Sequence, residues 1–97
     1  DMVLMHHRIH GVFEDGAREE RHVCNLQVFG CSELSAMAKT VGYTTAASAE
    51  LLLDGTTLQG EHGLLLPTIP KIYTPVLEKL KQDGIRFDES LQRFFNC

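Results

Sequence analysis

Tryptophan is absent from the 97 residues, and no apolar run approaches the roughly 20 residues that a membrane helix requires. No basic and apolar leader precedes the strand-like start at Asp1, so the chain reads as a piece of a longer protein whose targeting signal would lie outside it. Positive charge is sparse. Nine Lys and Arg stand against 13 Asp and Glu, a net charge of −4, and they are scattered rather than gathered in a stripe. Neither nucleic acid nor a membrane is an expected partner. Cysteine is limited to Cys24, Cys31 and Cys97, an odd number without C-x-x-C spacing. That pattern argues against a disulfide scaffold and for free thiols in an intracellular, reducing compartment, cytoplasm or mitochondrion. The eight glycines never fall as G-x-G-x-x-G, so the turn that seats a dinucleotide pyrophosphate is missing from these residues.

What is present is enough for one small domain. Hydrophobic residues make up 43% of the chain, too many for disorder. Residues 2–14 and 17–29 read as two long strands joined at Asp15-Gly16, a hairpin signal because a type I′ turn needs positive φ at both central positions. A two-residue turn makes paired numbers sum to 31. Val3 then meets Val28, Met5 meets Leu26, His7 meets Cys24 and Ile9 meets His22 on one face. Leu4, His6, His10 and Val12 meet Gln27, Asn25, Arg21 and Glu19 on the other. The first face is the more apolar and is the expected core side, and a slip of one residue would mix the two.

A helix is expected over residues 33–53, capped by Ser32, with Ser35 at the boundary or in the first turn, and ended by Asp54-Gly55. Its apolar stripe reads as Leu34, Met37, Ala38, Val41, Thr45, Ala49 and Leu52. Ala38, Gly42 and Ala46 form a ridge of small residues suited to close packing. Met5, Leu26, Val28, Met37, Val41 and Leu52 are the expected core. Residues 63–66 read as a short buried strand. A second helix is expected near 75–83, with Thr74 as cap, Pro75 in the first position and Gly84 as stop. Residues 85–87 suit an edge strand, and the tail from Asp88 suits a turn of helix through Leu91, Phe94 and Phe95. The expected class is α+β, or a piece of an α/β parent: a long hairpin extended into a mixed sheet, packed by a long helix rich in small residues and a shorter second helix.

Residues 35–42 (SAMAKTVG), 63–67 (GLLLP) and 72–77 (IYTPVL), with weaker support from 1–5, 15–16 and 51–55, resemble the C-terminal part of saccharopine dehydrogenases. The likeness covers roughly residues 1–87. It implies that residues 1–62 belong to a substrate-binding and dimerisation α/β domain, and that 63–97 form a strand–helix return segment in the same compact unit. It also implies an oxidoreductase parent of lysine metabolism that uses NAD or NADP on the CH–NH group of saccharopine. The cofactor turn and the acid–base residues of such an enzyme would sit in a preceding Rossmann domain, the expected partner. No catalytic or cofactor-binding residue is therefore assigned to this chain, which is expected to bind no cofactor by itself. The rival class is a non-catalytic oligomerisation module. A homodimer is expected on either reading, because the hairpin edge and the small-residue ridge would be left bare.

Within the matched stretch, Thr40 is the candidate substrate contact. Its hydroxyl can bond a carboxylate, or merely a carbonyl one turn back. Lys39 could pair with a carboxylate or stay solvated. The derived register gathers His7, His22 and Cys24 on one hairpin face. Two imidazoles and a thiolate could be part of a zinc set, or a thiolate with its base, or simply residues bonded to their neighbours. His6 and His10 share the opposite face and cannot join that group.

Overall fold

The computed structural model describes residues 1–14, 16 and 18–95. Five elements follow in order: β1 (Met2–Val12), β2 (Arg18–Phe29), α1 (Ala36–Leu53), α2 (Pro70–Gln82) and β3 (Asp88–Phe95). The fold is α+β, a three-stranded sheet in the order β1-β2-β3 with two helices. Both ladders are antiparallel, so the mixed sheet expected from the sequence is not formed.

The hairpin keeps the register that the hydrophobic pattern dictates. Val3 faces Val28, Met5 faces Leu26, His7 faces Cys24 and Ile9 faces His22. Phe13 N–H bonds the Arg18 carbonyl at 3.2 Å, and Gly16 N–H closes a four-residue turn on the Phe13 carbonyl at 2.9 Å. Gly16 carries the positive φ (67°) that the turn demands. The expected roles of Asp15 and Ala17 lie outside the described residues, as does Cys97.

The start of α1 differs from expectation. Ser35, not Ser32, is the N-cap, with extended backbone and Oγ accepting from Ala38 N–H at 3.0 Å. Two further free N–H groups of the first turn, on Ala36 and Met37, donate to the Asp1 carboxylate at 2.8 and 3.2 Å. A carboxylate there is favoured by the helix dipole as well. Gly30 makes the arrangement possible: a Cβ on it would lie 2.2 Å from Asp1 Oδ1 and 2.7 Å from Ala36 N. The other end matches the sequence reading, with Asp54 as C-cap and Gly55 at φ 72°.

The buried face of α1 is not the expected stripe. Ala36, Ala47 and Leu51 are buried, while Met37, Val41 and Leu52 are 58–67% exposed. At 100° per residue the centres of the two sets lie roughly a third of a turn apart, so the buried side is rotated away from the expected stripe rather than opposite it. The core therefore joins Leu26, Val28, Ala36, Ala47, Leu51, Val76, Leu80 and Ile85, while Met5 is exposed. Of the six expected core residues only Leu26 and Val28 belong to it. α1 is apolar on nearly every side, so period alone does not single out the side that α2 and the sheet cover.

Residues 63–66 form no strand, and Leu64 is 93% exposed. Helix α2 starts a turn earlier than expected. Pro70 takes the first helical position after Ile69, and Pro75 sits inside the helix rather than at its head. There its ring removes one ladder bond at the Lys71 carbonyl, early in the helix where few bonds depend on it. Gly84 ends the helix at φ 86°. The tail is a strand, not a turn of helix. β3 pairs along Arg18–Asn25 and closes the β2 edge, because unpaired backbone groups on a long strand capture an available segment in spite of its weak helical pattern.

The described chain is extended in shape. Its radius of gyration is 17.0 Å, against about 12–13 Å for a compact chain of this length. Its accessible surface is 7488 Å², where a monomer of this mass exposes about 5,600 Å². The helices cover one end of the sheet and leave the rest of both faces open.

Candidate functional site

The sheet face that begins as core at Val3 and Val28 turns polar along the hairpin. His7 stands opposite Cys24, as the register requires, but its ring meets Phe87 edge-on, with centroids 5.9 Å apart. Cys24 Sγ lies 3.9 Å from Glu89 Oε1 on β3. His22 Nε2 is 3.2 Å from Glu20 Oε2. The three side chains of the candidate zinc or thiolate set thus face three different partners. Among the described residues no group of three His, Cys, Asp or Glu side chains is placed to hold a metal ion. On the opposite face His6 bonds Asn25 and His10 bonds Glu19, each across the hairpin.

Beyond them lies a cluster that sequence reasoning missed. Glu20 is the least exposed carboxylate of the ion pairs, with 12% of its side chain accessible. Around it stand Arg93 Nε at 3.2 Å, His22 Nε2 at 3.2 Å and Arg18 Nε at 4.0 Å. Arg18 also covers the Phe13 ring at 3.7 Å. Gly11 stands opposite Glu20 in the ladder. Three of its four members, Arg18, Glu20 and His22, share one face of β2 at alternate positions. Arg93 could not be placed without knowing that the tail is a strand. Chemically the cluster fastens β3 to β2: a carboxylate held by cations on both strands orients side chains but offers no free base.

Thr40 is half-buried in α1. Its Oγ1 donates within its own helix, to the Ala36 carbonyl at 3.1 Å or the Met37 carbonyl at 3.2 Å. Its single proton is therefore used internally, and its lone pairs remain for an N–H donor. Lys39 Nζ donates to the Phe29 carbonyl at 3.3 Å, which ties the helix to the end of β2. Cys31, exposed beside the α1 start, is held below the ordinary thiol range by the N–H groups of Glu33 and then Leu34, with Lys39 contributing less. Cys24 and Cys31 are both free thiols. An open cavity of about 630 Å³ lies between α2 and the start of β3, lined by Tyr73, Thr74, Lys81, Phe87 and Glu89 among others.

The fit of a nicotinamide dinucleotide can be tested on the one strand–turn–helix, from β2 through residues 30–35 into α1. A pyrophosphate would need the free N–H groups of the α1 first turn. Those of Ala36 and Met37 are held by the Asp1 carboxylate and that of Ala38 by Ser35. β2 also lies in an antiparallel ladder on both sides rather than in a parallel βαβ unit. At this strand–turn–helix, three first-turn N–H groups are therefore taken by the chain's own side chains.

Comparison with known proteins accounts for the chain more fully than any cluster within it. Residues 1–85 match the Saccharopine dehydrogenase C-terminal domain family. The mitochondrial alpha-aminoadipic semialdehyde synthase of Bos taurus is 40% identical over 88 residues, covering 90% of this chain and 9% of the relative. The alpha-aminoadipic semialdehyde synthase of Arabidopsis thaliana is 35% identical over 96 residues, covering 95% of this chain and 9% of the relative. The NADP(+), L-glutamate-forming saccharopine dehydrogenase of Saccharomyces cerevisiae is 37% identical over 81 residues, covering 84% of this chain and 18% of the relative. The chain thus spans less than a fifth of the length of these relatives. No helix among the described residues is long and apolar enough to cross a membrane. The hairpin, the small-residue helix and the proline-led second helix are the parts that the match covers, and on that match the chain belongs to the saccharopine dehydrogenase C-terminal domain family of lysine-metabolism enzymes.

Proposed function

We propose that this chain is the substrate-side part of an NADP- or NAD-dependent saccharopine dehydrogenase, and that a separate nucleotide-binding domain of the parent supplies the cofactor site. The observation that carries this reading is the family match over residues 1–85, together with relatives named for forming glutamate from saccharopine with NADP(+). In the parent, hydride would leave the carbon bonded to the secondary amine of saccharopine for the nicotinamide, and water would hydrolyse the resulting imine. The helix start occupied by Asp1 and Ser35 supports placing the cofactor elsewhere. Residues 1–62 are read as part of the substrate-binding domain and 63–97 as its return segment. Thr40 is the proposed substrate contact, through its lone pairs towards an N–H donor. The free thiols and the relatives named as mitochondrial support an intracellular, reducing compartment.

Two measurements test the reading. The full-length protein should reduce NADP(+) or NAD(+) only when saccharopine is supplied, as followed by the absorbance of the reduced nicotinamide. A full-length protein that lacks saccharopine-dependent turnover would overturn it. Calorimetry on the 97-residue chain with each oxidised cofactor should show no specific binding, and low-micromolar affinity would refute the division of labour. The surface excess of the chain favours a second reading, a non-catalytic assembly module, which the same turnover assay separates from the first.

A further inference from the structure

We infer that β3 is a strap on the sheet. It opens as one unit from the β2 edge, hinging at Asp88, while β1, β2, α1 and α2 stay folded.

β3 is fastened by β2 alone and packs on no other element. It supplies none of the eight core residues, which come from β2, α1, α2 and Ile85. Its side chains from Asp88 to Phe94 are all exposed, Leu91 and Phe94 at 44%. An open cavity of about 630 Å³ lies between α2 and the start of β3, so no helix backs the strand there. The family match ends at Ile85, before β3 begins. A strand with so little apolar packing belongs to the low end of local stability.

The residues just before it are held quite differently. Ile85 is buried, its N–H bonds the Leu80 carbonyl at 2.8 Å, and Phe87 packs against the core and the His7 ring. Motion that spares the core therefore starts after Phe87.

Besides the ladder, the ties of β3 sit at its two ends. Arg93 Nε is 3.2 Å from Glu20 Oε1, and the Arg21 guanidinium lies 5.7 Å from the centre of the Phe94 ring. At the other end Cys24 Sγ lies 3.9 Å from Glu89 Oε1. A tie near the free end holds that end down, so the strand does not unzip residue by residue from Phe95. It leaves when the tie breaks. Its departure strands no charge, because Glu20 keeps His22 at 3.2 Å and Arg18 at 4.0 Å, both on β2. Closed, the strap covers the β2 backbone from Arg18 to Asn25; open, it bares those groups as a sheet edge.

The test is native-state hydrogen exchange on the 97-residue chain, read residue by residue by NMR. The β3 amides and the β2 amides facing them should share one opening equilibrium, more favourable than that of α1 and α2. Arg93→Ala should raise this opening about two- to fivefold and leave exchange in the helices unchanged. High salt should act on the strap in the same direction. In a background with Cys31 and Cys97 replaced by Ser, Glu89→Cys places a thiol directly opposite Cys24 in the ladder. Oxidation with diamide should close a disulfide there and slow β3 exchange towards that of the helices, and dithiothreitol should reverse it. Exchange that slows steadily from Phe95 towards Asp88 would mean fraying and overturn the strap. So would β3 amides that exchange no faster than those of α1 and α2, or a disulfide that fails to form. An opening insensitive to both Arg93→Ala and salt would overturn the tie.

Discussion

Gly30 is the residue on which the local geometry of α1 turns. Its N–H bonds the Asp1 carbonyl at 2.9 Å, and its missing side chain lets the Asp1 carboxylate reach the helix start. Gly30→Ala should break that cap, at a cost of about 0.5–2 kcal/mol for the cap alone. Asp1→Ala should cost a similar amount. Because both act on one contact, the double variant in urea titration should lose less than the sum of the two, and full additivity would show that the cap is not what Gly30 protects. Asp54 closes the other end. Its carboxylate accepts from Thr56 N–H, Thr57 N–H and Thr57 Oγ1, and these bonds, the Thr56 N–H foremost, hold its pKa below the usual carboxylate value. A group whose folded pKa is depressed contributes stability above its unfolded pKa of about 3.9 and loses it as pH falls through the folded value. Asp54→Asn should therefore flatten the acid limb of stability against pH below about pH 4 while leaving the neutral region's slope unchanged. An acid limb identical to that of the parent sequence would contradict this.

The strands were legible in the sequence, and the faces of the helix were not. Alternation along residues 2–29 determined the hairpin register residue by residue, because a strand has two faces and a one-residue slip exchanges them. α1 has no such contrast. With apolar or small residues at Ala36, Met37, Ala38, Val41, Ala46, Ala47, Ala49, Leu51, Leu52 and Leu53, its buried side is chosen by α2 and the sheet, which are tertiary partners invisible to periodicity. Leu51→Ala should accordingly cost about 2–5 kcal/mol, and Leu52→Ala less than about 0.5 kcal/mol in denaturant titration at a concentration where the chain is dissociated. Equal costs would mean that both leucines share the core. The tail departs from its sequence pattern for the opposite reason. Leu91, Phe94 and Phe95 suggest helical spacing, but the open β2 edge offers more backbone partners than one turn of helix. The site cluster at Glu20 was hidden with it, since Arg93 comes from that strand. Removing residues 88–97 should speed amide exchange at the β2 groups between Arg18 and Asn25 that face β3 and leave those facing β1 protected. Unchanged exchange across β2 would show that β3 does not pair there in solution.

At the scale of the whole molecule, the covered end of the sheet and the bare remainder imply a chain whose stability depends on what it meets. Among the described residues eight buried side chains form the core, and no large side chain is wholly shielded from solvent. A 97-residue chain with this much open surface has a small margin of its own. The homodimer proposed for this chain would bury apolar surface only in the folded state, so by mass action the folded dimer is favoured as concentration rises. The midpoint of thermal unfolding should therefore climb with protein concentration, and scans at low and high micromolar concentration should differ by several degrees. Val41→Glu should leave the midpoint measured at the dilute end unchanged, because Val41 is 58% exposed within one chain. A midpoint that is independent of concentration in the parent sequence would mean that the cooperative unit is the single chain. The excess surface would then be covered in the longer protein by its own remaining domains, not by a second copy.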